Sequence, residues 1–147
     1  MCNIFIYKKS NPNYYQTLAL IYLDSGDIIN SIRYFNKVIE LEPTSFKAYS
    51  FLGNAYRLQK NYLLAVKNYQ KALLINSSHL DSIIGLGNLS IDHFQFQKAI
   101  NYFEKVLNIQ KNNYKALHGL AMTYGLLGTY DKAKLYLKKI LLIKPDF

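Results

Sequence analysis

A 34-residue internal repeat constrains this 147-residue chain more than any other feature of its sequence. Aligning the chain with itself divides it, without insertions, into the segments 12–45, 46–79, 80–113 and 114–147. A period of this length is typical of solenoids, in which each small unit buries its apolar face against its neighbours. The sequence therefore predicts a repeat domain over residues 12–147.

Equivalent positions of the four segments carry the same physical type of residue. The eighth position holds Ala19, Gly53, Gly87 and Ala121, the twentieth holds Ser31, Ala65, Ala99 and Ala133, and the twenty-fourth holds Phe35, Tyr69, Phe103 and Leu137. A glycine inside a helix costs about 1 kcal/mol relative to alanine. We therefore expect the small residues of the eighth position to lie at a close helix crossing, where they face the small residues of the twentieth.

Each segment is divided into two helical halves by its apolar pattern. Within each half, apolar residues recur at spacings of 3, 4 or 7, which is the period of an amphipathic helix. The pattern breaks at Gly26-Asp27, Lys60-Asn61, Phe94-Gln95 and Gly128-Thr129, and Pro43 and Pro145 follow the second half of two segments. Because proline cannot continue a helix, it marks a stop. Each segment therefore predicts a helix (helix A), a tight turn and a second, antiparallel helix (helix B).

The period and the order of small and large positions resemble the tetratricopeptide repeat (TPR) family. Segment 46–79 matches the motif best, through Leu52-Gly53-Asn54, whereas segment 80–113 has Ser90 in place of a tyrosine and Phe94 in place of the turn glycine. The resemblance implies an all-α fold, a right-handed α-solenoid of antiparallel helix pairs (a TPR-like superhelix), with one repeat per segment. Residues 1–11 are expected to form an N-terminal tail, either the end of a preceding helix B or a ragged terminus.

The sequence lacks the motifs of the common catalytic and cofactor sites. Its seven glycines form no phosphate-binding loop, and His79, His93 and His118 fall at different repeat positions without metal-ligand spacing. The single cysteine, Cys2, excludes an internal disulfide. We therefore expect a protein that is not an enzyme and has no catalytic residue, cofactor or metal. No apolar run approaches the roughly 20 residues that span a bilayer, so we expect a soluble, intracellular protein without membrane insertion, most simply cytoplasmic.

The chain is basic, with a formal net charge of +9, but only two of its 18 basic residues are arginines. Two positions of helix B, which are expected on the outer side of the solenoid, carry Arg33, Lys37, Lys67, Lys71, Lys105 and Lys139. Arginine is the residue best suited to contacting phosphates and base edges. The scarcity of arginine therefore favours a solvated lysine surface, and we expect no nucleic-acid partner.

The resemblance implies a concave groove lined by one face of each helix A. The candidate peptide-binding residues in this groove are Lys47, Ser50, Asn54, Arg57, Asn88, Lys115, His118 and Met122. An asparagine such as Asn54 or Asn88 can donate to and accept from a peptide backbone at once. Some family members hold the C-terminal carboxylate of chaperones with five polar residues. Only Asn54 and Lys115 match that set here, so we expect a different ligand.

The resemblance implies a noncatalytic interaction scaffold that binds a peptide or helix of a partner protein in the groove, within the assembly of a multiprotein complex. Two alternatives remain open: a targeting or regulatory repeat region of a larger enzyme such as a glycosyltransferase, and an RNA-binding repeat protein. Apolar residues at both ends of the chain, among them Ile4, Phe5, Leu137 and Leu141, also predict end-to-end self-association.

Overall fold

Eight α-helices and no strand make up the part of the chain that the structure, a computed structural model, describes, residues 11–143. The helices are α1 (Pro12–Asp24), α2 (Ile28–Leu41), α3 (Phe46–Leu58), α4 (Tyr62–Ile75), α5 (Leu80–Asp92), α6 (Phe96–Ile109), α7 (Tyr114–Leu126) and α8 (Tyr130–Ile143). The odd-numbered helices begin at the first residue of each predicted segment, and the even-numbered helices begin 16 residues later. The predicted all-α class is confirmed, whereas the prediction for the tail at residues 1–10 lies outside the described residues.

The turn between the two helices of each pair contains a residue with a left-handed backbone. Gly26 (φ 81°) and Gly128 (φ 73°) adopt this conformation without steric cost, whereas Lys60 (φ 61°) and Phe94 (φ 56°) adopt it despite their side chains. The residue after Gly26 and Lys60 then caps the next helix. The Asp27 carboxylate accepts from the Asn30 backbone N–H at 3.1 Å. The breaks in the apolar pattern are therefore turns, as the sequence predicts, and the turns at Gly26 and Lys60 are followed by a side-chain cap.

The chain divides into two compact units, residues 1–79 (unit 1) and residues 80–147 (unit 2). In unit 1 one cluster of the buried core comprises Ala19, Phe35, Val38, Ala48 and Leu52. The rings of Phe35 and Phe51 stack beside it, with 5.3 Å between their centroids. In unit 2 the fully buried large side chains include Ile83, Phe103, Leu117, Leu120 and Ile140.

The small residues of the eighth position make room for the aromatic rings of helix B. A Cβ atom added to Gly53 would lie 2.5 Å from Cδ1 and Cε1 of Tyr69. In unit 2, the Phe103 ring similarly occupies the space beside Gly87, and it also lies against Gly119 on α7. The nearest neighbours of Gly53 and Gly87 thus belong to the twenty-fourth position. The three heavy atoms nearest to each added Cβ belong to these rings, and the expected contact with the small residues of the twentieth position stays a prediction.

Candidate functional site

In unit 2, three of the predicted groove residues line one cavity of about 250 Å³ between α5 and α7. Ile84 and Asn88 come from α5, and Tyr114, Lys115 and His118 come from α7. Residues four apart on a helix share a face. Ile84 and Asn88 therefore face the cavity together from α5, and Tyr114 and His118 face it together from α7. The cavity combines apolar surface, an amide, a cation and an imidazole.

Asn88 supplies the uncommitted polar group of this cavity. It is half-buried, and within residues 11–143 its side-chain amide forms no hydrogen bond. Its counterpart one repeat earlier, Asn54, accepts a hydrogen bond at 2.7 Å from the hydroxyl of Tyr69. In the repeat of Asn88, Phe103 stands at the position of Tyr69 and has no hydroxyl to donate. The amide of Asn88 can therefore donate to and accept from a ligand in the cavity.

Lys115 has an acidic partner within unit 2. Its Nζ donates to Oδ1 of Asp81 at 2.8 Å, and both side chains are about half exposed. This hydrogen bond raises the pKa of Lys115 above its ordinary value, against the opposing effect of partial burial. A ligand carboxylate would compete with Asp81 for Lys115. The sequence contains the information for this ion pair, because Asp81 and Lys115 are 34 residues apart and occupy the same position of consecutive repeats.

His118 and Met122 lie one turn apart on α7, and both are exposed. His118 lines the cavity, whereas Met122 is not among the residues around it. Tyr114, which sequence reasoning did not select, lines the cavity from the first position of its repeat. The aromatic residue at the same position of segment 46–79, Phe46, was the only sequence signal that could have drawn attention to it.

In unit 1, the four remaining predicted residues follow one another along α3 at helical spacing. Lys47 is exposed, and Asn54 and Arg57 are half-buried. Ser50 is only 3% exposed, so it offers a ligand little surface, and its place in the groove stays a prediction. Its short side chain lies between the longer ones of Lys47 and Asn54, one turn away on either side. Asn54 has its carbonyl oxygen committed to Tyr69.

Two kinds of feature are absent from the described residues. Residues 11–143 contain no cluster of three or more histidine, cysteine, aspartate or glutamate side chains that could hold a metal ion. None of the helices α1–α8 is both long and apolar enough to cross a membrane.

Three models of the tetratricopeptide repeat family match the chain, at residues 12–45, 44–112 and 90–147. The chain therefore belongs to the TPR family, as its sequence predicted. Proteins built from these repeats are generally protein-interaction scaffolds.

Three relatives show how much of a longer protein such a chain can span. A TPR repeat-containing protein of Methanocaldococcus jannaschii is 31% identical over 113 residues, which cover 77% of this chain and 34% of that protein. Superkiller protein 3 of Schizosaccharomyces pombe is 25% identical over 148 residues, covering 94% of this chain and 11% of that protein. Anaphase-promoting complex subunit 3 of the same yeast is 25% identical over 103 residues, which cover 70% of this chain and 16% of that protein. The chain thus spans about a third of the archaeal relative and smaller shares of the two yeast proteins.

Two solved structures place the fold in the same class. The crystal structure of MamA is 27% identical, with a TM-score of 0.76, and the match covers 95% of this chain and 81% of MamA. The PilF protein of Pseudomonas aeruginosa has a TM-score of 0.83 at 20% identity, over 92% of this chain and 62% of PilF, and this likeness shows the fold alone. The predicted fold class, a TPR solenoid, is confirmed.

Proposed function

We propose that this chain is a noncatalytic scaffold that binds a segment of a partner protein through the exposed faces of its odd-numbered helices, within the assembly of a multiprotein complex. The observation that carries the proposal is the half-buried amide of Asn88, which has no hydrogen-bond partner within residues 11–143 and lines a cavity. A polar group in that position loses free energy unless a ligand or water satisfies it. Among the relatives, anaphase-promoting complex subunit 3 is by its name a component of a complex.

In unit 2, the cavity suits one residue of an extended peptide and the peptide bonds on either side of it. The Asn88 amide pairs with the backbone of the peptide, and Ile84 and Tyr114 supply apolar contacts. The Lys115–Asp81 pair presents charges beside the cavity, and these discriminate between partner side chains, while His118 adds an imidazole that can form hydrogen bonds. In unit 1, Lys47 and Arg57 lie on one face of α3 and favour an acidic stretch of the partner.

Affinity purification from the native cell, with quantitative mass spectrometry, tests the proposal. The unmodified chain is compared with Asn88→Ala and with a matched control, Asn108→Ala, which removes an exposed amide from α6. The segment of each captured partner that binds is then mapped with synthetic peptides, and its affinity is measured by calorimetry. We expect Asn88→Ala to weaken binding about tenfold, since it removes hydrogen bonds worth roughly 0.5–1.5 kcal/mol each. Equal binding by both variants would contradict the assignment.

We also propose that α8 mediates self-association. This helix exposes large apolar side chains, namely Leu135, Leu137, Leu141 and Leu142, and Leu142 is 84% exposed. At about 25 cal/mol per Å² of apolar surface, a contact that buries a few hundred Å² contributes several kcal/mol before the entropic cost of association. Association of two copies through α8 accounts for such exposure.

A further inference from the structure

A second concave feature lies in unit 1, on the face formed by its two B helices. A cleft of about 590 Å³ opens between α2 and α4, and its base is formed by α3. Tyr49, Leu52 and Tyr56 of α3 and Leu64 and Leu74 of α4 make it largely apolar. None of the eight predicted groove residues lines it, so it is separate from the surfaces described above.

At the cleft, the second repeat lacks one ring of an aromatic pair that the first and fourth repeats contain. In the first repeat the rings of Tyr22 and Tyr34 stack with centroids 5.4 Å apart and planes 4° apart. In the fourth repeat, at the same two positions, Tyr124 and Tyr136 stack at 5.7 Å, again with planes 4° apart. These pairs cover the face of the helix-A tyrosine.

In the second repeat the same two positions hold Tyr56 and Asn68. Asn68 has no ring, and its Nδ2 donates to the backbone oxygen of Leu64 at 2.8 Å. Within residues 11–143 the Tyr56 ring forms no stacked or edge-to-face contact. Tyr56 therefore lines an open cleft without the stacked ring that its counterparts Tyr22 and Tyr124 have.

The charge and shape of the cleft define the ligand. Lys67 and Lys71 line it, and neither forms an ion pair within residues 11–143. The lining contains no acidic side chain and no arginine. Leu64, Lys67, Lys71 and Leu74 share one face of α4, a row about 15 Å long at 1.5 Å per residue.

We propose that this cleft binds an amphipathic helix of a partner protein, which places a large apolar or aromatic side chain on the face of Tyr56 and acidic residues beside Lys67 and Lys71. A row of three helical turns matches a helix laid along the groove, the mode in which apolar side chains recur every three or four residues. The unpaired lysines select for acidic flanks through charge complementarity. The apolar base and the absence of arginine disfavour RNA.

Selection from a display library of 16-residue helical peptides tests the proposal. The library is selected on the unmodified chain and counter-selected on Asn68→Tyr, which restores the tyrosine pair of the first and fourth repeats. We expect the enriched peptides to carry an aromatic or leucine anchor with glutamate or aspartate about one turn to either side. The affinity of the most enriched peptide is then measured by fluorescence polarisation.

Three variants separate the contributions of shape and charge. Asn68→Tyr fills the cleft without changing the charge, so it should abolish peptide binding while raising the melting temperature through the new ring contact. Lys67→Glu with Lys71→Glu should weaken binding by about tenfold or more, because like charges then face each other. Lys98→Glu with Lys105→Glu imposes the same change of net charge on residues of α6 that do not line the cleft, and it should leave the affinity within about twofold of the unmodified chain.

Several outcomes would overturn the proposal. These are a selection that yields no binder, enriched peptides without acidic bias, and binding that survives in Asn68→Tyr. A single-stranded oligouridine that binds the unmodified chain and is lost in Asn68→Tyr would assign the cleft to RNA instead. Asn88→Ala should leave peptide binding to the cleft unchanged, so failure here and failure of the proposed function are distinguishable.

Discussion

Replacing Gly53 with alanine tests the packing of the eighth repeat position. Alanine stabilises an exposed helix interior by about 1 kcal/mol relative to glycine. At Gly53, however, the new methyl group would lie 2.5 Å from two ring carbons of Tyr69. Tyr69 is fully buried, and its hydroxyl donates to Asn54 at 2.7 Å, so the ring cannot move without breaking that bond. Overpacking costs about 1–3 kcal/mol, and we expect a net loss of about 1 kcal/mol.

Urea unfolding followed by circular dichroism measures this loss. Gly125→Ala is the matched control, since a Cβ at Gly125 meets nothing within 4 Å, and it should stabilise the chain by about 0.5 kcal/mol. Combining Gly53→Ala with Tyr69→Leu reproduces the Ala121 and Leu137 pair of the fourth repeat and should recover part of the loss. If Gly53→Ala raises the unfolding midpoint as much as Gly125→Ala does, the Tyr69 ring leaves room for a methyl group at Gly53, which contradicts the expected overpacking.

Three further changes should have the following outcomes. Ser31→Ala should raise the free energy of unfolding by about 1 kcal/mol, because the buried Ser31 Oγ has no hydrogen-bond partner in the described part of the chain; an unchanged urea midpoint would contradict this. Asp81→Asn should lower the pKa of Lys115 in an NMR titration. Because Asp81 raises that pKa, the stability from the pair is present below pH 10.5 and is lost as the pH rises above it. The effect should stay below about 1 kcal/mol, since both groups are half exposed. Leu141→Lys should shift the chain toward monomer in sedimentation velocity, and an unmodified chain that is monomeric at all concentrations would refute association through α8.

The helix pattern could be predicted from the sequence because it depends on local chemistry alone. The helical period of the apolar residues, together with breaks at residues such as Gly26 and Gly128, predicts where each helix begins and ends. These signals act between neighbours in the chain, and four repeats supply four independent readings of them. The structure accordingly starts the helices at Pro12, Phe46, Leu80 and Tyr114, at the predicted 34-residue interval.

The contacts between helices were predicted less well because they depend on which side chains meet across a crossing. The order of small and large positions predicts large residues around the crossing, but only the packed fold shows that the Tyr69 ring itself lies on Gly53. The burial of Ser50 likewise depends on its neighbours, since a serine at the same helical angle can be exposed. The Lys115–Asp81 pair could have been found, because opposite charges at the same position of consecutive repeats lie close together.

Asn54 and Asn88 occupy the same repeat position, and the structure gives them different hydrogen-bond surroundings. Asn54 holds the hydroxyl of a buried tyrosine, so Asn54→Ala should lower the free energy of unfolding by about 1–2 kcal/mol because the Tyr69 hydroxyl loses its acceptor. Asn88 has Phe103 in place of that tyrosine, so Asn88→Ala should leave the urea midpoint nearly unchanged and weaken partner binding instead.

Introducing the Tyr69–Asn54 hydrogen bond at the equivalent position of the third repeat tests the difference between Asn54 and Asn88 directly. Phe103→Tyr supplies Asn88 with a hydroxyl like that of Tyr69, and we expect this variant to unfold at a higher urea concentration and to bind the partner less tightly, since the amide is then committed within the chain. The reciprocal change, Tyr69→Phe, should destabilise unit 1 and release the Asn54 oxygen. If Phe103→Tyr leaves both stability and binding unchanged, the amide of Asn88 is not the group that contacts the partner. The proposal that the cavity beside Asn88 binds a partner peptide would then be wrong.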